Sequence, residues 1–101
     1  MARNVIWKPQ AVQQLHAFSS ERQARAHAIV DAITQNPNAG WHSGMTTHDG
    51  RPVQLRTFPG YTVEVEFYRW GWFRRNLTIY IHAVRPMDWP SQTDYEERTK
   101  P

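Results

Sequence analysis

Cysteine is absent from the 101 residues. That excludes disulfides, thiolate-held metal ions and a thiol nucleophile, and it suits a reducing compartment. Glycine is scarce, with five residues in all. No glycine-rich phosphate loop or nucleophile elbow is present. No apolar stretch is long enough to span a bilayer and none resembles a signal peptide, so no membrane partner and a cytoplasmic location are expected. Internal repeats and low-complexity segments are missing too.

What is present is globular composition, with 40% hydrophobic and 13% aromatic residues, enough for one core. The formal charge of +3 is unevenly placed. Residues 1–85 carry ten Lys/Arg against five Asp/Glu, and residues 86–101 carry two against four. A basic body suits a polyanionic or acidic partner. A single domain over 1–86 is expected, with 87–101 a polar, flexible tail in which Trp89 or Tyr95 could dock.

Val5-Ile6-Trp7 is a short continuous apolar run, the pattern of a strand buried on both faces. Pro9 suits a first helical turn, and Ala11, Val12, Leu15 and Phe18 recur at helical spacing. Ser20 with Gln23 has capping-box spacing and predicts a second helix. Its stripe is Ala26, Ile29, Val30 and Ile33, and Asn36-Pro37-Asn38 ends it. Residues 39–50 show no period and read as a loop around one end of the sheet.

Two-residue alternation then takes over. Val53, Leu55 and Thr57 oppose Gln54 and Arg56. After the Pro59-Gly60 turn, Tyr61, Val63, Val65 and Phe67 oppose Thr62, Glu64, Glu66 and Tyr68. Leu77, Ile79, Ile81 and Ala83 oppose Thr78, Tyr80, His82 and Val84. The predicted class is α+β: an N-terminal strand, a helical hairpin and a three-stranded antiparallel meander in one sheet (β-α-α-β-β-β), helices packed on one face. The other, open face collects Gln54, Arg56, Glu64, Glu66, Tyr68, Tyr80 and His82, groups that can bind or titrate.

The element order resembles the RelE/ParE superfamily of type II toxin–antitoxin toxins over residues 4 to about 85. So do three stretches: Val5-Ile6-Trp7-Lys8-Pro9-Gln10-Ala11-Val12-Gln13-Gln14-Leu15, Val53-Gln54-Leu55-Arg56 with Gly60-Tyr61, and Ala83-Val84-Arg85. The resemblance implies a bacterial toxin with a cognate antitoxin as partner and no cofactor. Its first implied activity is RelE-like cleavage of mRNA on the ribosome by an endoribonuclease working through the open face. Basic residues are expected at Arg56 and Arg85. Thr62 stands where the family often has arginine, and Pro52 and Gln54 stand where ribonuclease members use lysine. Those departures point to the alternative, a ParE-like or degenerate toxin that binds DNA gyrase or its antitoxin without chemistry.

Three groups of residues carry these expectations. Arg56, Glu64, Glu66, His82 and Arg85 form the catalytic candidate, with a glutamate as base, His82 as acid and arginine holding phosphate. Against it stands an ordinary charged sheet face. The second group is Trp70-Gly71-Trp72-Phe73-Arg74-Arg75, with Tyr68 and Tyr80 nearby. Trp70, Trp72, Arg74 and Arg75 could seat a protein partner, the preferred reading, or bind RNA by stacking and charge. The third is the histidines His16, His27, His42, His48 and His82, which lack zinc spacing; no metal site is expected.

Overall fold

A computed structural model describes residues 2–87. Of the tail expected over 87–101, only Met87 is described, its N–H donating to the Gly60 carbonyl at 2.7 Å; the rest, with Trp89 and Tyr95, lies outside the described residues. The elements run β1 (Arg3–Trp7), α1 (Pro9–Ala17), α2 (Ser20–Gln35), β2 (Trp41–His48), β3 (Arg51–Phe58), β4 (Tyr61–Trp70), a 3-10 turn (Trp72–Arg74) and β5 (Asn76–Pro86). The five strands form one sheet in the order β1-β5-β4-β3-β2. β1 pairs parallel to β5, and the other neighbours are antiparallel. This is the expected α+β class, with helices on one side of a single sheet.

Pro9 opens α1 as expected. The stripe Ala26, Ile29, Val30 and Ile33 of α2 is buried in full, and it joins Ala11 and Phe18 against Val63, Val65, Leu77, Ile79, Ile81 and Val84. Burying side chains of this size stabilises by about 1.5–3 kcal/mol each, which offsets much of the ordering entropy. Among the described residues no helix is long and apolar enough to cross a membrane.

The cap of α2 is Ser19, one residue before the expected Ser20. Its hydroxyl accepts from the Arg22 N–H at 3.3 Å, and the Gln23 side chain donates to the Phe18 carbonyl at 3.1 Å. Ser19→Ala should therefore cost about 1 kcal/mol and lower the thermal midpoint by roughly 5 °C. Ser20→Ala should leave it unmoved in the same melting experiment, and the reverse ranking would place the cap at Ser20.

Four expectations change in the structure. First, the loop expected from 39 to 50 is mostly strand β2, which pairs with β3 through the two-residue turn Asp49-Gly50. The antiparallel meander thus gains a fourth strand. Second, β1 is not buried on both faces. It is the sheet's edge, and Ile6 is exposed.

Third, Gln54 and Arg56 lie on the helix side. Gln54 is opposite Val65 and Arg56 opposite Val63, both core positions. Directly paired residues point to the same side of a sheet, so Leu55, opposite Glu64, faces the other way. β3 lies toward the sheet margin, where its helix-side positions meet the backbone leaving α2 instead of the apolar core.

Fourth, β5 carries a bulge. Glu64 pairs with Ala83 and Val65 with Ile81, which leaves His82 as the extra residue. The bulge reverses the phase beyond it. Val84, opposite Val63, packs into the core, while Ala83 and Arg85 join the open face opposite Glu64 and Thr62.

Candidate functional site

Strand register brings Glu64, Glu66, Tyr80 and Arg85 to one face, and the bulge adds His82. The Asp49-Gly50 turn has positive φ at both residues, 52° and 76°. Such a two-residue turn matches the twist of its flanking strands. It sets His48 opposite Arg51 at the near end of that same face.

Two carboxylate–imidazole pairs result. His48 Nε2 lies 2.6 Å from Glu64 Oε1, and His82 Nε2 lies 3.0 Å from Glu66 Oε1. An ionised carboxylate can only accept, so each Nε2 carries the hydrogen, and Nδ1 accepts in the neutral ring and donates in the imidazolium. The rings stack, with centroids 4.8 Å apart and planes inclined by 17°. Each pair has an arginine. Arg85 donates to Glu64 Oε2 at 2.9 Å, and Arg51 Nη2 is 3.4 Å from Glu66 Oε1.

Burial grades the site. The Glu64 and His82 side chains are 7% and 6% exposed, whereas both arginines are more than half exposed. Low local dielectric strengthens hydrogen bonds between the inner groups, and the arginines stay free to meet a charged ligand. Lys8 Nζ is 5.1 Å from the Tyr80 ring centroid, and the Arg51 guanidinium is 5.9 Å from it.

β1 ends at Trp7, so the β5 edge from His82 onward lacks a strand partner. Buried backbone groups need partners, and α1 supplies them. Gln10 donates to the His82 carbonyl at 2.9 Å, and Gln14 accepts from the Val84 N–H at 3.1 Å. The first turn of α1 thereby walls a cleft of about 400 Å³ lined by Lys8, Pro9, Gln10, Gln13, His48, Asp49 and His82. Both imidazoles border it.

No family model, curated protein or solved structure matches this chain. The site must be read on its own chemistry.

Of the sequence-derived catalytic set, Glu64, Glu66, His82 and Arg85 come together and Arg56 does not. Arg56 is 7% exposed. It donates to the carbonyls of Pro37 and Ala39 at 2.9 and 3.1 Å, bonds the Gln54 side-chain oxygen, and stands over the Phe67 ring. Those contacts make it a clasp for the chain leaving α2. Tyr80 lies within the site, and Tyr68 lies on the same face one position along. Trp70, Trp72, Arg74 and Arg75 lie at the β4–β5 tip.

Sequence reasoning missed His48, Arg51 and Lys8. The Asp49-Gly50 dipeptide, a strong hairpin signal, could have placed the first two. Nothing in the sequence marks Lys8 apart from its position before Pro9. Among the described residues, no group of three or more His, Asp or Glu is arranged to hold a metal ion.

Proposed function

We propose that this chain is a RelE-like toxin module that cleaves mRNA on its open face. The observation that carries the reading is the stacked pair of imidazoles, each oriented by its own glutamate and flanked by its own arginine. Breaking an RNA chain by internal transfer needs one group to remove the 2′-hydroxyl proton and another to protonate the leaving 5′-oxygen. His48, the more exposed of the two, takes the first proton at Nδ1. The 2′-oxygen then bonds to the adjacent phosphorus and the bond from phosphorus to the 5′-oxygen breaks. His82 acts in its imidazolium form and gives the proton on Nδ1 to that oxygen, while Nε2–H stays on Glu66. The products are a 2′,3′-cyclic phosphate and a 5′-hydroxyl. Arg51, Arg85 and Lys8 hold the phosphate as charge develops on it.

The RelE/ParE resemblance supports this reading through β1–α1 and the last strand, and the site itself supports it independently. A cognate antitoxin that covers the open face or the helices would be the natural partner. The ParE-like alternative, action on a protein such as DNA gyrase without chemistry, draws on Thr62. That residue faces outward opposite Arg85 and adds no charge there.

Controlled expression with mapping of RNA 5′ ends separates the two. The wild-type chain should create new 5′-hydroxyl ends, and the double variant His48→Ala, His82→Ala should create none. Growth arrest with intact transcripts would discard cleavage in favour of the protein-directed alternative.

A further inference from the structure

We infer that the open face extends the candidate site into a track for single-stranded RNA, running from the imidazole pair to the β4–β5 tip; this rests on the RNA-cleavage reading above. Along β4, Glu66 is opposite Tyr80, Tyr68 opposite Thr78 and Trp70 opposite Asn76, all on one face. Successive same-face residues on a strand lie roughly 7 Å apart, so each ring can meet a separate base. Tyr68 is more than half exposed. The Trp70 indole donates to Thr78 Oγ1 at 3.0 Å, which fixes the ring while leaving it partly exposed.

The tip continues the series. Gly71 has φ 84°, and a Cβ there would lie 2.6 Å from the Asn76 side chain, so the tight turn requires glycine. Phe73 and Arg74 follow at φ 55° and 52°, a region that bulky residues rarely occupy. The turn thereby holds Trp72 and Phe73 at 81% and 77% exposure, edge to face with centroids 5.3 Å apart, when burying them would be the stabilising choice.

Charge selects the occupant. Arg74 and Arg75 are exposed beside the rings of the tip, and residues 67–78 contain no Asp or Glu. Exposed rings interleaved with cations match unpaired bases on a phosphate chain. The tip alone would serve an acidic protein segment equally well. Continuity through Trp70, Tyr68 and Tyr80 to the imidazoles favours RNA.

The test uses the full chain and a fluorescein-labelled 12-nucleotide 2′-O-methyl RNA, which lacks the attacking hydroxyl. Tyr68→Ala and Trp70→Ala should each weaken binding by about 5- to 150-fold and leave binding of a base-free ribose-phosphate oligomer unchanged. Arg74→Ala and Arg75→Ala should each reduce the slope of log affinity against log salt by about 0.7. Trp72→Ala, at a solvent-facing position, provides a variant whose folding is not at issue; it should weaken binding in the same way. Wild-type affinity in all the aromatic variants, or equal affinity for duplex RNA, would overturn the track and assign the tip to a protein partner. Cleavage of the all-ribose oligomer, followed in parallel, tells the two readings apart. Aromatic-dependent binding without cutting would retain the track and remove cleavage. Cutting with unchanged KM in Tyr68→Ala and Trp70→Ala would do the reverse.

Discussion

Replacing Glu64 with glutamine is expected to lower the rate of RNA cleavage by about two to four orders of magnitude while the protein stays folded. Glu64 contacts both the His48 imidazole and the Arg85 guanidinium, through separate oxygens. The amide keeps the size and removes the charge. Its NH2 group cannot accept, so at best one of the two partners keeps its bond. If Arg85 keeps the oxygen, His48 loses the acceptor that fixes its tautomer; if His48 keeps it, the charge that supports its imidazolium on taking a proton is gone. Arg85 is more than half exposed, so its loss of a partner is screened by water and costs little stability. Single-turnover cleavage of a labelled RNA, with near-ultraviolet circular dichroism as the folding check, reads the effect. Cleavage within threefold of wild type by a folded Glu64→Gln protein would remove the Glu64–His48 pair from the chemistry. Glu66→Gln tests the second pair in the same way, since Glu66 Oε1 serves both His82 and Arg51.

Arg56→Ala should act on the other property, stability. It removes donors from the Pro37 and Ala39 carbonyls and from Gln54, together with the packing over Phe67. Hydrogen bonds made by a charged group, and the unmet acceptors left behind, together set a loss of about 2–4 kcal/mol. For a domain of this size that lowers the thermal midpoint by roughly 10–20 °C. Arg56→Lys should recover little, because one ammonium cannot reproduce a planar fork shared among three oxygens. Cleavage per folded molecule should change by no more than a few-fold, because Arg56 points to the helix side. Thermal melting and activity normalised to the folded fraction check both halves. An unchanged melting curve with cleavage abolished would return Arg56 to the active face.

The contrast between these residues shows what the sequence could and could not disclose. The α2 stripe was legible because four buried positions at a helical period leave a pattern that few alternatives imitate. β4 was legible for the same kind of reason: Val63 and Val65 alternate with Glu64 and Glu66, and both faces are strongly marked. β2 was not. Most of Trp41–His48 is exposed or half-buried, so burial imposed no rhythm on its composition, and only the Asp49-Gly50 turn gave it away.

The phase of β3 is not legible, because its apolar members, Val53 and Leu55, belong to the face with the charged site. Apolar alternation points to the helix side. That holds at the centre of this sheet and fails toward its margin, where backbone carbonyls from the α2–β2 connection take the place of core. His82 was correctly grouped with Glu66, yet the irregularity beside it leaves no trace in the letters. A continuous alternation from Leu77 to Val84 is what the sequence presents, and the strand breaks it. His48 reads as one histidine of a loop because its partner Glu64 is 16 residues away and comes near it only when two hairpins fold on each other.

The extra residue at His82 also links the interior to the candidate site by a count of one. An even ladder run through that point at the present chain length would turn everything downstream over. Val84 would be expelled toward water, and Arg85 would be driven beneath the helices in its place. Interior and open face would then fail together, although no residue of either had been altered. Deleting the spare position would instead keep Ala83, Val84 and Arg85 opposite their present neighbours. How the backbone absorbs one surplus residue therefore constrains the protein as tightly as the identity of any side chain near it.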